Sequence, residues 1–284
     1  MPEEPQILAA SAADVASFAR SRCRDEHAEK LYVEVAQGGA YVAKDVDGTP
    51  VGIAFARRLD DESFLSELFV EPSFRGQGIG SQLLAQIWDS QEERARSTVL
   101  EAPERGAAAF LLRRGLAMQT PVVEVSGSIP HENELARMAA GSYRFGTEPL
   151  EPAKHRSALA QLDREIRGSS RSVDHAYFSE AGRGCIFRRD DEIAGYAYFW
   201  PSGRIGPMAA ASQTYVVQFF AFALAAARST FGASWCIALV PGTNVRMLRA
   251  AMRAGLTVQS VRIFAGDNAG LDLSRYAAFH PLLF

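Results

Sequence analysis

Two hydrophobic periods alternate along this chain, and their order is its first piece of information. Gln6 to Ala9 reads as a short strand, and Ala13 to Arg22 spaces its apolar residues at the helical period, with weaker helical periodicity after it. In "AYVAKDVDGTPVGIAFARRL", two strand-like runs flank Asp47-Gly48, a pair suited to the positive φ of a tight hairpin turn. Leu65 to Val70 predicts a third strand. Ser81 to Ser90 predicts a helix, with Leu83, Leu84, Ile87 and Trp88 on one stripe. Thr98 to Glu101 is again strand-like. A helix from Ala107 then ends at Arg114-Gly115, with glycine in the place of a left-handed C-terminal cap.

The second half repeats this order. "CIFRRDDEIAGYAYFW" predicts strand, acidic turn and strand; Tyr215 to Ala227 a long helix; Ser234 to Leu239 a strand; Asn244 to Ala254 a helix closed by Gly255. Aligning Val51-Gly52-Ile53-Ala54 with Ala194-Gly195-Tyr196-Ala197 brings the helix-ending "RRGL" and "RAGL" to nearly the same distance downstream. A repeat of about half the chain, with one element order, argues for duplication of an α/β unit. The polar segment Ser126 to Ser142, where strand patterning lapses, sets the boundary between domains 1–138 and 139–284.

Composition removes several function classes. Net charge is −3, and basic runs are limited to pairs such as Arg57-Arg58, Arg113-Arg114 and Arg188-Arg189, so no stripe is built for nucleic acid or an anionic membrane. The longest apolar window, Tyr215 to Ala227, is broken by Gln218 and falls short of the roughly 20 residues that cross a bilayer. "MPEEPQILAAS" is acidic where a signal peptide is basic, so a cytoplasmic protein is expected, as a monomer or a homodimer. Cys23, Cys185 and Cys236 are odd in number and widely spaced, which predicts buried reduced thiols. His27, His131, His155, His175 and His280 show no metal-ligand spacing, and no metal is expected.

The turn in "LFVEPSFRGQGIGSQLL" carries the most chemistry. A Walker loop would finish Gly-Lys-Ser/Thr, but this turn finishes Ile79-Gly80-Ser81. A dinucleotide fingerprint, G-x-G-x-x-G, finds its third glycine one residue early. Glu101 lies where a ribose-binding acid would, yet a hairpin and a third strand precede the turn instead of the opening of a βαβ unit. The pattern Arg/Gln-x-x-Gly-x-Gly/Ala fits Arg75 to Gly80 at every position.

On these residues the chain resembles the GNAT superfamily of N-acetyltransferases. "VEPSFRGQGIG" is similar to the family's V-x-P-x-x-R-G-x-G-I-G run, and "AAAFLLRRGL" to its A-x-x-F-Y-E-R-x-G-F segment. The resemblance implies an α/β fold of the α+β, mixed-sheet kind: two tandem GNAT-like domains, each a mostly antiparallel central sheet flanked by helices. It further implies acetyl-CoA as co-substrate, its pyrophosphate held by Arg75, Gly76, Gln77, Gly78, Ile79, Gly80 and Ser81. Free N–H groups at a helix start, glycines that admit the anion and the helix dipole are the physical reason. Leu68, Phe69 and Val70 would run beside pantetheine, the Val70 N–H would polarise the thioester carbonyl, and Phe110 and Arg113 would pack along CoA.

The sequence departs from the family in places. Leu111 stands where the family's general-acid tyrosine belongs, and the position of its asparagine falls on Glu104 or Gly106. In the second half "GTNVRMLRAAMRAGL" keeps the final helix, but "GRIGPMAAASQTYVV" lacks a phosphate pattern, as in tandem members with a degenerate copy. Asp163, Gly168 and Arg171 have the D-x-x-x-x-G-x-x-R spacing of some such members, which makes Arg171 either a substrate ligand or a structural residue. The aromatic run Tyr196 to Pro207 reads as core strand and turn, or as lining of a binding site.

Acyl transfer to an amine needs the amine neutral. An alkyl ammonium of pKa about 10.4 is handicapped by about 4 kcal/mol near pH 7.4, so a base is expected. Glu67, before Val70, and Glu101, ending "TVLE", are the candidates, each with an alternative as a solvated strand-end charge. The expected activity is direct acetyl transfer from acetyl-CoA to a primary amine of a small molecule. A non-catalytic acyl-CoA sensor and a dinucleotide-binding enzyme are the alternatives.

Overall fold

The computed structural model describes residues 4–22, 26–37, 39–88, 94–101, 105–141, 143–268 and 270–284; Cys23 and Glu104 lie outside them, as does the side chain of His27. The chain forms two compact units that divide within one strand. The first runs to Arg58 and resumes over Glu62–Val99; the second holds Leu59–Asp61 and Leu100–Leu282.

The first unit contains β1 (Gln6–Ala9), α1 (Ala12–Arg22), α2 (Glu26–Ala36), β2 (Ala40–Lys44), β3 (Pro50–Arg58), β4 (Glu62–Val70), α3 (Ile79–Ile87) and most of β5 (Ala95–Glu101). Its strands lie in sequence order, antiparallel up to β4 and parallel between β4 and β5. A capping box starts α1: the Asp14 N–H donates to Ser11 Oγ at 3.2 Å while Asp14 Oδ2 accepts the Ser11 N–H at 2.9 Å. The β2–β3 hairpin turns where Asp45 Oδ1 accepts the N–H groups of Asp47 and Thr49, with Gly48 at φ 78°. β3 is buried at every position from Val51 to Arg57, so it is covered on both faces.

α3 begins two residues before the apolar stripe suggests, because its first turn is the glycine motif itself. Its buried face is Ile79, Leu83, Leu84 and Ile87, each worth about 1.5–3 kcal/mol of apolar burial. Ile79 and Leu83 rest on Gly52 of β3, where a Cβ would stand 3.1 Å from Leu83 Cδ1.

The second unit contains α4 (Arg105–Leu112), β6 (Ala117–Ser128), α5 (Glu132–Ala139), β7 (Gly146–Pro149), α6 (Pro152–Arg167), α7 (Ser172–Ala181), β8 (Arg183–Arg189), β9 (Glu192–Phe199), β10 (Arg204–Ala210), α8 (Val216–Phe231), β11 (Trp235–Pro241), α9 (Val245–Arg253), β12 (Thr257–Gly266) and β13 (Tyr276–Ala277). Its strand order is β12-β6-β11-β10-β9-β8-β7, with β13 on β10. Among the described residues of this unit only the β10–β11 pair is parallel. The core lies between α8, through Phe219, Phe220, Ala223 and Leu224, and the sheet residues Phe187, Ala197, Met208 and Val240. Cys185 and Cys236 are buried, and burial pushes each thiol up to about 12.

Repeat and compact unit divide the chain at different places. β6 follows α4 as β12 follows α9, so by element order β6 closes the first repeat; yet it pairs with β11 over Val122 to Ser128 on one side and with β12 on the other. The repeat boundary at Ser126–Ser142 marks element order, whereas the compact units follow this pairing. Among the described residues no helix is long and apolar enough to cross a membrane, and no group of three or more His, Cys, Asp or Glu side chains is arranged to hold a metal ion.

Candidate functional site

The first unit's chemistry is organised by a divergence of two strands. β4 and β5 pair from Glu62↔Ala95 to Leu65↔Thr98, where Thr98 Oγ1 donates to the Leu65 carbonyl at 2.8 Å, and no further. Beyond that point β3 stays on one side of β4, and among the described residues Leu68 to Val70 pair with no strand on the other. The β3–β4 register slips at Phe55/Ala56, so Ser66 is an extra residue in β4, a bulge that bends the strand where it leaves β5. The Glu71 N–H donates to the Val51 carbonyl at 2.9 Å. Because backbone groups alternate along a strand, Phe69 turns its N–H toward Ile53, and Leu68 and Val70 turn theirs to the open side.

The chain then makes the glycine turn. Gly76 (φ 82°) and Gly78 (φ 86°) both adopt left-handed backbone, and a Cβ at either would meet nothing within 4 Å. Gly78 is the N-cap of α3, and the Ser81 and Gln82 N–H groups close onto its carbonyl. The N–H groups of Gly76, Gln77, Gly78, Ile79 and Gly80 find no acceptor among the described residues. Arg75 fastens the turn to the strand, its Nε donating to the Val70 carbonyl at 2.9 Å. Gln77 ties it again through Nε2 to the Ser73 carbonyl. Ile79 is the one buried member of the motif; the others are at or near the surface. The arrangement is a row of donors on the positive end of a helix beside an unpaired strand edge, which suits an extended anionic ligand.

Glu67 sits just past the bulge, half-buried, and the Tyr32 hydroxyl of α2 donates to its Oε2 at 3.4 Å. Aromatic rings flank it: Tyr32 meets Phe55 edge-on at 5.7 Å, and Phe18 of α1 meets Phe69 at 5.5 Å. The Arg22 guanidinium lies 4.7 Å from the Phe69 ring centre. No short-range pattern joins residue 32 to residue 67, so Tyr32 carries no signal in the sequence; packing of α2 on β3 brings it beside Glu67.

The remaining candidates lie in the second unit. Glu101 is exposed at the end of β5 and pairs with Arg262 Nε at 2.8 Å. Phe110 is half-buried on α4 under the Arg114 guanidinium, 3.5 Å from its ring centre, and Arg113 is exposed. Leu111 is 4% exposed, so the place of the family's tyrosine holds apolar core. Arg171 is 1% exposed, its guanidinium paired with Asp174 Oδ2 at 3.1 Å and bonded to the Tyr276 hydroxyl. It faces the interior of the unit.

Register allows the two repeats to be compared residue by residue. Gly52 opposes Val70 and Gly195 opposes Ala210; the Ala211 N–H donates to Ala194 as that of Glu71 does to Val51. β10 carries its own bulge between Ile205 and Met208. Pro207 therefore stands where Glu67 stands, and the second copy has no carboxylate there.

Residues 36–115 match the family model of the acetyltransferase (GNAT) domain. No protein of curated function matches the chain in sequence. Among solved structures, a Pyrococcus horikoshii protein assigned to the acetyltransferases superposes with a TM-score of 0.72 at 15% identity, over 99% of this chain and 96% of that one. A GCN5-related N-acetyltransferase from Sphaerobacter thermophilus gives 0.62 at 15% identity, covering 96% and 99%. A tandem GNAT protein from the clavulanic acid biosynthesis pathway gives 0.61 at 14%, covering 93% and 98%. Residues 36–115 thus match the GNAT domain model, within a chain that has the fold of tandem GCN5-related N-acetyltransferases.

Proposed function

We propose that the first half binds acetyl-CoA and transfers its acetyl group directly to a primary amine of a small molecule. The observation that carries this reading is the row of N–H groups from Gly76 to Gly80 at the start of α3. Charge-assisted bonds to a phosphate are worth about 1.5–3 kcal/mol each, so a few of them anchor a pyrophosphate. The outward Val70 N–H is suited to the thioester carbonyl oxygen, where it stabilises negative charge as that charge develops. The thioester supplies the activated acetyl group.

Glu67 takes the proton from the amine, offsetting the handicap of about 4 kcal/mol that an ammonium carries at neutral pH. The Tyr32 hydroxyl steadies its carboxylate. The aromatic rings of Phe18 and Phe69 give the carbon body of the acceptor a surface to lie on. A thiol of pKa about 8.5 is a competent leaving group as its anion, so the buried Leu111 does not prevent turnover. The same Leu111 favours a second reading, an acyl-CoA binder without turnover.

Thermal stability with acetyl-CoA, CoA and NAD, on the wild type and Gly78→Glu, tests the site. A ligand of the folded state at 100 times its dissociation constant adds about 2.7 kcal/mol. The expected result is stabilisation by acetyl-CoA and CoA in the wild type, none by NAD, and none at all in the variant. Stabilisation by NAD alone, or by nothing, refutes the reading; binding without turnover on a panel of primary amines selects the second one.

A further inference from the structure

The second half has a strand divergence of its own, and protein fills it. β10 and β11 pair only at Arg204↔Ile237 and Ile205↔Ala238, the counterparts of the last β4–β5 pairs. Past that point β13 lies against β10, with Ala277 opposite Met208 and Tyr276 opposite Ala209. On its other side the Ala278 N–H donates to the Leu239 carbonyl of β11 at 2.8 Å. Met208, Ala209 and Ala210 have the register of Leu68, Phe69 and Val70, so residues 276–278 run along the edge that corresponds to the open edge of β4. Tyr276, Ala277 and Ala278 are fully buried. Gly206, in the bulge, marks the closest approach: a Cβ there would stand 2.3 Å from the Ala278 carbonyl oxygen. Phe279 continues the segment, its carbonyl accepting from Arg204 Nη1 at 2.8 Å and its ring against Trp200.

The buried polar cluster of the second unit holds this segment. Asn244 Nδ2 donates to the Tyr276 carbonyl at 2.9 Å, and Arg171 bonds the Tyr276 hydroxyl. Arg171 is set by Asp174 and by its own N–H, which donates to Asp163 Oδ2 at 3.4 Å. Asp163 in turn accepts the Tyr196 hydroxyl at 2.7 Å and meets His175 Nε2 at 3.0 Å. Gly168 ends α6 in left-handed conformation (φ 77°). That turn brings Arg171 back to Asp163, and so accounts for the spacing of these three residues. Burial opposes the charge on Arg171, but Tyr276 and the carboxylates of Asp174 and Asp163 outweigh it and keep the guanidinium ionised.

We propose that residues 276–279 are a built-in occupant of the second half's cofactor slot, clamped by Arg171 and Asn244, so that this half takes no acyl-CoA. The proposal rests on the acetyl-CoA reading of the first half only for the identity of what the segment replaces. Hydrogen exchange of the whole chain, read by mass spectrometry with and without saturating acetyl-CoA, tests it. The peptide holding residues 276–279 is expected to exchange as slowly as the β8–β9 hairpin and to be unchanged by acetyl-CoA. Tyr276→Phe, which removes the hydroxyl that Arg171 binds, is expected to speed exchange there roughly tenfold or more while β1–β3 keep wild-type rates. Fast exchange of this peptide in the wild type, protection of it by acetyl-CoA, or an unaltered rate in Tyr276→Phe overturns the proposal. If that variant does not fold, the wild-type rates decide. Protection of β4 by acetyl-CoA is a separate signal that reports the first half, so failure of one reading leaves the other visible.

Discussion

Between β4 and α3 the chain spends eight residues, Glu71 to Gly78; between β10 and α8 it spends five, Ala211 to Tyr215. Both connections leave a bulged third strand at the same register and enter a helix packed over the same glycine position. The longer one contains two left-handed glycines and leaves a row of N–H groups without protein acceptors. The shorter one has no glycine, and two of its amides are used internally: Thr214 N–H donates to Ser212 Oγ and Tyr215 N–H to the Ser212 carbonyl. The strand edge differs in the same sense, open in β4 and bonded to residues 276–278 in β10. On the proposed reading the first repeat's site is backbone withheld from pairing, and in the second repeat the chain itself completes that pairing.

The largest effect expected from this contrast is at Glu67, whose counterpart is Pro207. Glu67→Gln keeps shape and removes the proposed proton acceptor. Turnover on an amine substrate should fall by about 10²- to 10⁴-fold, with acetyl-CoA affinity within about threefold of wild type. Steady-state kinetics and calorimetric titration measure the two separately. Undiminished kcat would move the base elsewhere and remove the main chemical difference between the copies.

Next comes the packing under the two helices. At Gly195 a Cβ would lie 2.3 Å from the Ala209 carbonyl oxygen and 2.5 Å from Phe219, while at Gly52 the nearest atoms are 3.1 Å away. Gly195→Ala should destabilise the protein by about 1–3 kcal/mol or more, and Gly52→Ala by less, since Leu83 Cδ1 and the Phe69 carbonyl oxygen need give way by only a few tenths of an ångström. Urea denaturation of both variants is the measurement. Equal losses would mean that the filled half is no more tightly built than the open one.

Much of this frame was legible in the sequence because it depends on short-range signals. The Asp47-Gly48 hairpin, the glycine caps at Gly115 and Gly255, and the Arg75–Gly80 motif each act within a few residues. β6 and β12 were not foreseen: their solvent-facing positions mix Val258 and Val261 with polar residues, and what makes them strands is pairing across the chain. Tyr32 beside Glu67 and Tyr276 beside Arg171 are likewise contacts between distant segments. The Asp163, Gly168 and Arg171 spacing could be seen, but its use required knowing that residue 276 comes back to it.

A smaller effect concerns acid. Glu148 of β7 binds Lys154 Nζ at 2.8 Å and Arg188 Nε at 2.6 Å, and these partners hold its carboxyl down at about 2 against an ordinary 4.5. With the folded value below the unfolded one, the unfolded chain binds the proton first as pH falls. The stability that Glu148 contributes is complete above about 4.5 and disappears as pH drops toward about 2. Thermal melts across that range should show a shallower decline for Glu148→Gln than for the wild type. Parallel curves would remove this tie from the edge of the second unit.

The smallest effect separates the two carboxylates that the sequence left as rivals. Glu101 is 53% exposed and already engaged by Arg262, which also lies 3.6 Å from Glu124. An exposed pair of this kind is worth about 0.2–1 kcal/mol, and its charge is screened by salt. Glu101→Gln should accordingly shift the melting temperature slightly and leave turnover within about twofold of wild type. A loss of turnover comparable to that of Glu67→Gln would assign the proton transfer to the strand that ends at Glu101. The absence of a carboxylate at Pro207 would then say nothing about the proposed inactivity of the second copy, and the filled strand edge alone would have to explain it.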